Sequence, residues 1–376
     1  MSRSTLGTAL SVTLFGESHG PAIGAVVDGL APGIPVDEAF IAAQMDLRRP
    51  YGALGTGRRE ADAVEILSGV FRGRTTGTPV CVMIRNADAH SADYEATRWL
   101  ARPGHADWTA FAKYHGFEDY RGGGHFSGRL TAALVAAGAL VIPALRSRGI
   151  LVGTHIAECA GIADAPFAEN AADLRKQLEE LAGRTFAVLD EDAGAAMRER
   201  IEAAAADGDS VGGILECAVA GLPAGVGEPW FDTLEGLLAH GLFAIPAVKG
   251  VEFGAGFACS RMRGSTMNDA FRMAGGAVTT VTNNNGGING GISNGSPVVL
   301  RCAVKPTPSI FKEQETVDFG AGENATLALK GRHDPAIVHR ARVVVDSVVA
   351  LVLTDALTMR FGTDWLAGQA TCRTTD

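Results

Sequence analysis

Val27-Asp28-Gly29-Leu30-Ala31-Pro32-Gly33-Ile34 recurs 192 residues later as Val219-Ala220-Gly221-Leu222-Pro223-Ala224-Gly225-Val226. A helix-compatible stretch follows each copy. Next come Val64-Glu65-Ile66 and Val251-Glu252-Phe253, and each of these is followed by a glycine and a phenylalanine. The repetition predicts two related β-α-β halves in one chain, with chance similarity as the alternative reading.

No Ser/Pro-rich linker separates the halves, so residues 1–376 are expected to form a single domain with an α+β fold. Alternation and apolar runs predict strands at 9–15, 22–30, 64–71, 79–84 and 298–304. Helical patterns predict helices from Asp37 to about Arg48 and at 130–144, 171–181 and 191–206. The pattern does not give the strand order.

The composition is that of a globular protein, with 47% hydrophobic and 20% charged residues. The longest near-apolar stretch, 130–145, has 16 residues and contains Gly138 and Pro143, which argues against a membrane span. Residues 1–5 contain no apolar signal core. The six cysteines lie at least 42 residues apart, which supports neither a zinc knuckle nor a disulfide scaffold. We therefore expect a cytoplasmic protein.

Charge restricts the partners. The chain has 33 basic and 42 acidic residues and a net charge of −9, which argues against nucleic acid as a non-specific partner. Six arginines and no lysine lie between Arg48 and Arg74. Arginine suits a planar, bidentate grip on carboxylate or phosphate, so this cluster predicts an anionic small-molecule ligand. A general preference for arginine in the composition is the alternative.

Two histidines lie in glycine-containing turns. His19 follows the first predicted strand in Phe15-Gly16-Glu17-Ser18-His19-Gly20, and His105 lies in Arg102-Pro103-Gly104-His105-Ala106-Asp107. Glycines let the backbone turn sharply and present the ring to a ligand. Arg102 and Asp107 are placed to set the pKa of the second histidine. Turn histidines without a function remain the alternative.

A triple glycine precedes the third predicted helix, in Tyr120-Arg121-Gly122-Gly123-Gly124-His125-Phe126-Ser127-Gly128-Arg129. Free N–H groups and the helix dipole make such a segment a candidate anion cradle. It fits neither the dinucleotide nor the nucleotide-triphosphate glycine pattern.

Two further segments carry polar chemistry. The Asn/Gly run at 283–295 precedes a strand that ends at Lys305-Pro306-Thr307-Pro308-Ser309, a candidate phosphate socket, although a flexible polar loop is the usual reading of such a run. Gly331-Arg332-His333-Asp334-Pro335 leads into the final helix.

These five segments in this order, with Arg48-Arg49-Pro50, Arg58-Arg59-Glu60 and Gly250-Val251-Glu252, resemble the chorismate synthase family of the shikimate pathway. The resemblance covers the chain from Thr5 to about Thr358. It implies a β-α-β sandwich, a homotetramer, and a role in aromatic amino acid biosynthesis. The implied reaction is trans-1,4-elimination of phosphate from 5-enolpyruvylshikimate 3-phosphate to give chorismate. The family requires reduced FMN (FMNH2) without net redox change.

The resemblance also implies residue roles. His19 is the acid toward the departing phosphate, His105 is the proton donor or partner of the reduced flavin, and Asp334 is the base acting through flavin N5. The implied substrate-binding residues are Arg48, Arg49, Arg58, Arg129 and Arg332. The implied cofactor-binding residues are Ser127, Ala247, Gly290, Lys305, Pro306, Thr307, Pro308, Ser309 and Arg332. No metal is implied.

The chain departs from the family pattern at two places. Many members have Arg-Ser-Ser-Ala-Arg where this chain has His125-Phe126-Ser127-Gly128-Arg129, and many have Asn-Ala where it has Pro246-Ala247. Proline cannot donate a hydrogen bond. We expect altered flavin contacts there. The sequence contains no second nucleotide-binding domain, so we expect an external flavin reductant and no built-in NADPH:FMN reductase activity.

Two alternatives remain. One is a metal-dependent phosphohydrolase with His19, His105, His125 and Asp334 as ligands, although the sequence has no His-x-His or His-Glu-x-x-His spacing. The other is a flavin- or phosphate-binding homologue that has lost catalysis.

Overall fold

A computed structural model describes residues 4–49, 62–86, 95, 97–329 and 334–368. The strands within these ranges are β1 (Thr5–Leu6), β2 (Ser11–Gly16), β3 (Ala22–Asp28), β4 (Val64–Ser68), β5 (Val70–Phe71), β6 (Arg74–Thr75), β7 (Val80–Arg85), β8 (Leu151–Cys159), β9 (Ile162–Ala163), β10 (Gly213–Ala220), β11 (Val248–Phe253), β12 (Phe271–Ala274), β13 (Ala277–Thr280), β14 (Ile288–Asn289), β15 (Ile292–Ser293), β16 (Val298–Val304), β17 (Gln314–Asp318) and β18 (Glu323–Leu327). The helices are α1 (Glu38–Arg48), α2 (Asp107–Tyr114), α3 (Thr131–Ser147), α4 (Ala171–Leu181), α5 (Glu191–Ala206), α6 (Leu234–Phe243), α7 (Gly264–Met267) and α8 (Val338–Phe361).

Two antiparallel sheets share four equivalent strands, β2, β3, β7 and β4 in the first and β8, β10, β16 and β11 in the second, while the fifth strand precedes β2 in one (β1) and follows β8 in the other (β9). Their strand orders are β1-β2-β3-β7-β4 and β11-β16-β10-β8-β9, and in both the repeated segment begins within a central strand, β3 or β10. The registers also correspond, because Val27 pairs with Val12 and Val80, while Val219 pairs with Val152 and Val298. The prediction of two related halves is confirmed.

The other predicted elements are close to the observed ones. Asp37 caps α1 by accepting a hydrogen bond of 2.9 Å from the N–H of Phe40, as its position before the helix indicated. The predicted strand at 64–71 is divided into β4 and β5 by Gly69, whose positive φ ends the first strand. The prediction of an α+β fold is confirmed.

A helical layer separates the two sheets. Helix α3 packs on β3 and β7 of the first sheet, and α8 packs on β8 and β10 of the second. Helices α1 and α6 lie beside α3 and α8, and one hydrophobic core runs through both halves. This arrangement is the β-α-β sandwich that the sequence resemblance implied.

Helix α3 and its preceding turn (Gly128–Ser147) form a 20-residue segment apolar enough to cross a membrane by length and composition. It is longer than the 16-residue run read from the sequence. Of its most apolar window, 89% is buried inside the protein, as for a core helix. Its small-residue faces are covered within the chain, so they are not available for subunit contacts.

Helices α3 and α8 approach each other closely at Gly138. A methyl group there would lie 2.4 Å from Cβ of Ser347, far inside van der Waals contact. Ser347 is fully buried and turns its hydroxyl back to the carbonyl of Val343 at 2.7 Å. The absence of a side chain at Gly138 therefore sets the spacing between the two halves.

We expect Gly138→Ala to lower the free energy of unfolding by about 1–3 kcal/mol, because overpacking outweighs the helix propensity that alanine gains. Urea denaturation measures this. Gly183→Ala is the matched control, since a methyl group there meets nothing within 4 Å. An unchanged or raised urea midpoint for Gly138→Ala would show that the helices adjust without cost.

Candidate active site

A cleft of about 1370 Å³ lies where α3 and α8 begin. Arg129 and Thr131 line it from the start of α3, and Arg340 and Ala341 line it from the first turn of α8. The N-terminal ends of both helices therefore contribute positive potential to it. Among the described lining residues, eight are Arg or Lys and five are Asp or Glu. The cleft suits an anionic ligand.

His19 lies in the turn between β2 and β3, and two other segments hold this turn. The side-chain amide of Asn86 donates to the carbonyls of Glu17 at 3.0 Å and Gly20 at 2.8 Å. The N–H of Ser18 donates to the carbonyl of Gly124 at 3.1 Å. The imidazole of His19 is thereby fixed in the wall of the cleft.

His105 precedes α2, and its ring is held by an acidic neighbour. Its Nδ1 lies 2.9 Å from Oδ1 of Asp107. Arg102 donates to the same carboxylate through its backbone N–H at 2.9 Å, Nε at 2.8 Å and Nη2 at 2.7 Å. Burial acts to raise the pKa of Asp107, but hydrogen bonds from Arg102 and His105 outweigh it and hold this pKa well below its usual range.

The triple glycine brings the two histidines together. A Cβ at Gly122 would lie 2.3 Å from Cδ2 of His19, and one at Gly123 would lie 2.9 Å from Cε1 of His105. Both glycines have positive φ, 59° and 82°. The rings therefore lie on adjacent stretches of bare backbone. The N–H of Gly123 donates to the carbonyl of Tyr120 at 3.2 Å and is not free for an anion, and the segment seats the two rings.

Two arginines share one carboxylate on the cleft wall. Asp62 accepts hydrogen bonds from Arg48 at 3.4 Å and from Arg129. Arg48 also donates to Thr131 Oγ1 at 2.8 Å and to the carbonyl of Gly128 at 2.8 Å, so it joins the end of α1 to the start of α3. Asp62 therefore holds both guanidinium groups at the cleft wall.

Asp334 also lines the cleft, in an ion pair with Arg340. Arg340 Nε donates to the carbonyl of Arg48 at 2.9 Å, which connects this pair with the arginine site. The N-cap residue of α8 is Ile337, and no side chain caps it. Asp334 is therefore not a helix cap, and its carboxylate is placed in the cleft.

The turn after β16 supplies a third wall. Lys305 Nζ donates to the carbonyl of Gly104, beside His105, and its backbone N–H donates to the carbonyl of Ala247 at 3.0 Å. Ala247 has φ 76°, a strained conformation for a residue other than glycine, as is common at binding sites. Thr307 Oγ1 is buried and has no hydrogen-bond partner within the described ranges.

Most of the residues predicted for the site line this cleft. These are His19, Arg48, Arg49, His105, Ser127, Arg129, Ala247, Lys305, Thr307, Pro308, Ser309 and Asp334. Gly290 and Pro306 are not among its lining residues; Gly290 lies in the tight turn between β14 and β15. Arg58 and Arg332 lie outside the described residues.

The departures from the family pattern have local explanations. His125 Nδ1 lies 2.9 Å from the carbonyl of Gly16, and its Nε2 lies 3.2 Å from Ser4 Oγ. The ring of Phe126 packs against Tyr114, with centroids 6.0 Å apart. Both residues line the cleft, but the polar atoms of His125 hold the end of β2.

Sequence reasoning missed Asp62, Asn86 and Arg340. Asp62 has a φ of 42°, and Asn86 connects the His19 turn to Arg129, whose Nε donates to its Oδ1 at 3.2 Å. None of the three lies in a glycine-rich motif, and each acts through a partner distant in sequence. Asp107, in contrast, was identified from the sequence, because it lies two residues after His105.

The described residues contain no group of three or more His, Cys, Asp or Glu arranged to hold a metal ion. His125 uses both ring nitrogens on protein groups, as described above. The contacts of these two ring nitrogens speak against the phosphohydrolase reading, in which this histidine was a ligand.

Comparison with known proteins identifies the family. The sequence model of the family described as chorismate synthase matches residues 10–358. The chorismate synthase of Methanosarcina mazei is 48% identical over 356 residues, covering 94% of this chain and 96% of that protein. That of Aeropyrum pernix is 46% identical over 359 residues, covering 96% and 94%.

A crystal structure of a chorismate synthase superposes with a TM-score of 0.75 at 28% identity, and the match covers 95% of this chain and 94% of that one. The fold, the family match across nearly the full chain and relatives near half identity agree. The chain belongs to the chorismate synthase family of phosphate-eliminating lyases.

Proposed function

We propose that the cleft between α3 and α8 carries out the family reaction, elimination of phosphate from 5-enolpyruvylshikimate 3-phosphate to give chorismate. The observation that carries this proposal is the seating of His19 and His105 on adjacent glycines, Gly122 and Gly123, inside an arginine-rich cleft. Two histidines at neighbouring positions can serve two proton transfers on one bound ligand.

The charge of the cleft supports this substrate. A ligand with two carboxylates and a phosphate requires fixed cations, and Arg48, Arg49 and Arg129 are present in the wall. Charge-assisted hydrogen bonds contribute roughly 1.5–3 kcal/mol each. Because Asp62 holds Arg48 and Arg129 before the ligand arrives, little side-chain freedom remains to be lost on binding.

The residues of the cleft also fit a reduced flavin mononucleotide. Thr307 Oγ1 is buried without a partner in the described part of the chain, and it lies in the Lys305 turn facing the cleft. A volume of about 1370 Å³ exceeds that of an ordinary small-molecule site and has room for two ligands. Ser127, Ala247, Lys305, Thr307, Pro308 and Ser309 are the lining residues that would hold the cofactor. When bound, the reduced flavin supplies electron density that assists loss of the allylic phosphate.

We assign His19 to the departing phosphate, on which negative charge develops as the C–O bond breaks. A protonated imidazole or a guanidinium stabilises that charge. Asp334 is the base for the proton that the substrate loses, and His105 presents Nε2 toward the cofactor. The carboxylate of Asp334 is oriented by Arg340, whose position is fixed in turn by the carbonyl of Arg48.

We further propose that residues 1–376 function as a single domain in the cytoplasm, with an external reductant for the flavin. The support for one domain is the shared core and helical layer. We also propose a homotetramer. This proposal rests on the family resemblance, because the faces of α3 are buried within the chain and do not supply a subunit contact. Light scattering would distinguish it from a 39.0 kDa monomer.

The proposed function predicts phosphate release under anaerobic conditions when the protein receives the substrate and chemically reduced FMN. With NADPH as the sole reductant, we expect no release. A phosphate-binding homologue without activity would bind flavin but release no phosphate in a single turnover, and that result would overturn the assignment. Release that requires an added metal ion would favour the phosphohydrolase.

Asp334→Asn is expected to lower kcat by about 10²–10⁴, because the amide keeps the shape of the carboxyl but not its basicity. Binding of FMN and substrate should remain near that of the unchanged protein. Asp364→Asn is the matched control, since Asp364 is exposed near the end of α8 and does not line the cleft. Asp334→Asn with normal kcat would remove this residue from the mechanism.

Arg48→Ala is expected to raise the substrate KM far more than it weakens FMN binding. Arg48 lies with Asp62 and Arg129, while four of the six proposed flavin residues lie in the Lys305 turn. Arg85→Ala is the control, since this arginine is exposed and pairs with Glu65 outside the cleft. A fall in FMN affinity with unchanged substrate affinity would contradict the assignment.

A further inference from the structure

Asp107 is the acidic residue in closest contact with a candidate catalytic histidine. Its Oδ1 lies 2.9 Å from Nδ1 of His105, in a largely buried part of the cleft wall. Asp107 is the first residue of α2, where an acidic side chain commonly caps the free N–H groups of the helix. In this chain, α2 has no side-chain cap, and the carboxylate faces backward to Arg102 and His105. Its contacts therefore serve the histidine turn.

The hydrogen-bond chemistry fixes the proton of the ring. Arg102 can only donate, and an ionised carboxylate can only accept. Oδ1 of Asp107 accepts from Arg102 Nη2 at 2.7 Å, and the contact with His105 Nδ1 is a second bond to the same oxygen only if Nδ1 carries a hydrogen. Because Arg102 Nη2 and His105 Nδ1 both donate to Oδ1 of Asp107, the two nitrogens lie only 3.1 Å apart.

We infer that Asp107 is a positioning residue that holds a proton on Nδ1 of His105 and leaves Nε2 as the nitrogen that exchanges a proton in the cleft. This inference rests on the proposed function for the identity of the reaction. The imidazole of His105 has little room to rotate away from Asp107, because its Nε2 edge lies against Gly123, where a Cβ would be 3.1 Å from Nε2.

Asparagine at position 107 would reverse this arrangement. The Oδ2 site faces two fixed donors, the backbone N–H and Nε of Arg102, so the carbonyl of the asparagine must lie there. The amide NH2 then faces the single fixed donor Arg102 Nη2 and His105, and His105 is the partner that can change from donor to acceptor. The proton would move from Nδ1 to Nε2, the wrong tautomer for accepting a proton from the cleft.

The first test is the tautomer itself. Nitrogen NMR of the histidine-labelled protein without ligands should show His105, identified by loss of its signals in His105→Ala, with the proton on Nδ1. In Asp107→Asn the proton should move to Nε2. Asp173→Asn is the matched control, because Asp173 is also an acid in the first turn of a helix, α4, but is exposed and outside the cleft. An unchanged tautomer in Asp107→Asn would overturn the inference, whatever reaction the protein catalyses.

The second test is a double-mutant cycle on phosphate release with reduced FMN. We expect Asp107→Asn to lower kcat about 10²-fold with KM nearly unchanged, within the usual contribution of general acid–base catalysis. In a His105→Ala background, the same change should have little further effect, because its route to the reaction has been removed. Equal losses in both backgrounds would show a merely structural role. If the unaltered protein released no phosphate, the proposed function would fail, and the NMR measurement would still decide the role of Asp107.

Discussion

The crossing of α3 and α8 at Gly138 and Ser347 is the constraint on which the site depends. Each helix packs on its own sheet, so their separation fixes how the two halves face each other. Both helices begin at the cleft, which Arg129 lines from the turn before α3 and Arg340 lines from the first turn of α8. A wider crossing would separate the ion pair of Asp334 from the arginine pair that Asp62 holds. Close packing in the core thus sets the geometry of polar groups at the end of the helices.

The fold was predictable from the sequence to the level of its two halves. The repeated segment identified β3 and β10, and alternation and apolar runs gave β2, β4, β7 and β16, whereas β8 was not predicted. Strand order was not predictable, because a period of two residues shows that a segment is a strand but carries no information about its neighbours. The equivalent pairings of Val27 with Val80 and of Val219 with Val298 depend on contacts far apart in sequence.

The candidate site was predictable where local chemistry marks it. His19, His105 and Asp334 lie in turns rich in glycine or proline, and these turns form walls of the cleft. Asp62 and Asn86 carry no such mark, because their roles arise from partners that folding brings to them. The triple glycine shows the same limit. From sequence it suggested free N–H groups for an anion, whereas the structure uses the missing side chains to seat two rings.

The arrangement of charge explains how a protein with a net charge of −9 can receive a highly anionic ligand. Arg48 and Arg129 are only 5% and 7% exposed, and one carboxylate between two such guanidinium groups compensates half of their charge. Removing one partner from a buried pair typically costs about 3–5 kcal/mol, so the arrangement is held firmly before any ligand binds. Both guanidinium groups lie at the cleft wall, next to the positive end of α3. A ligand phosphate or carboxylate then completes a network whose orientation folding has already fixed, which is the preorganisation that electrostatic stabilisation of a departing phosphate requires.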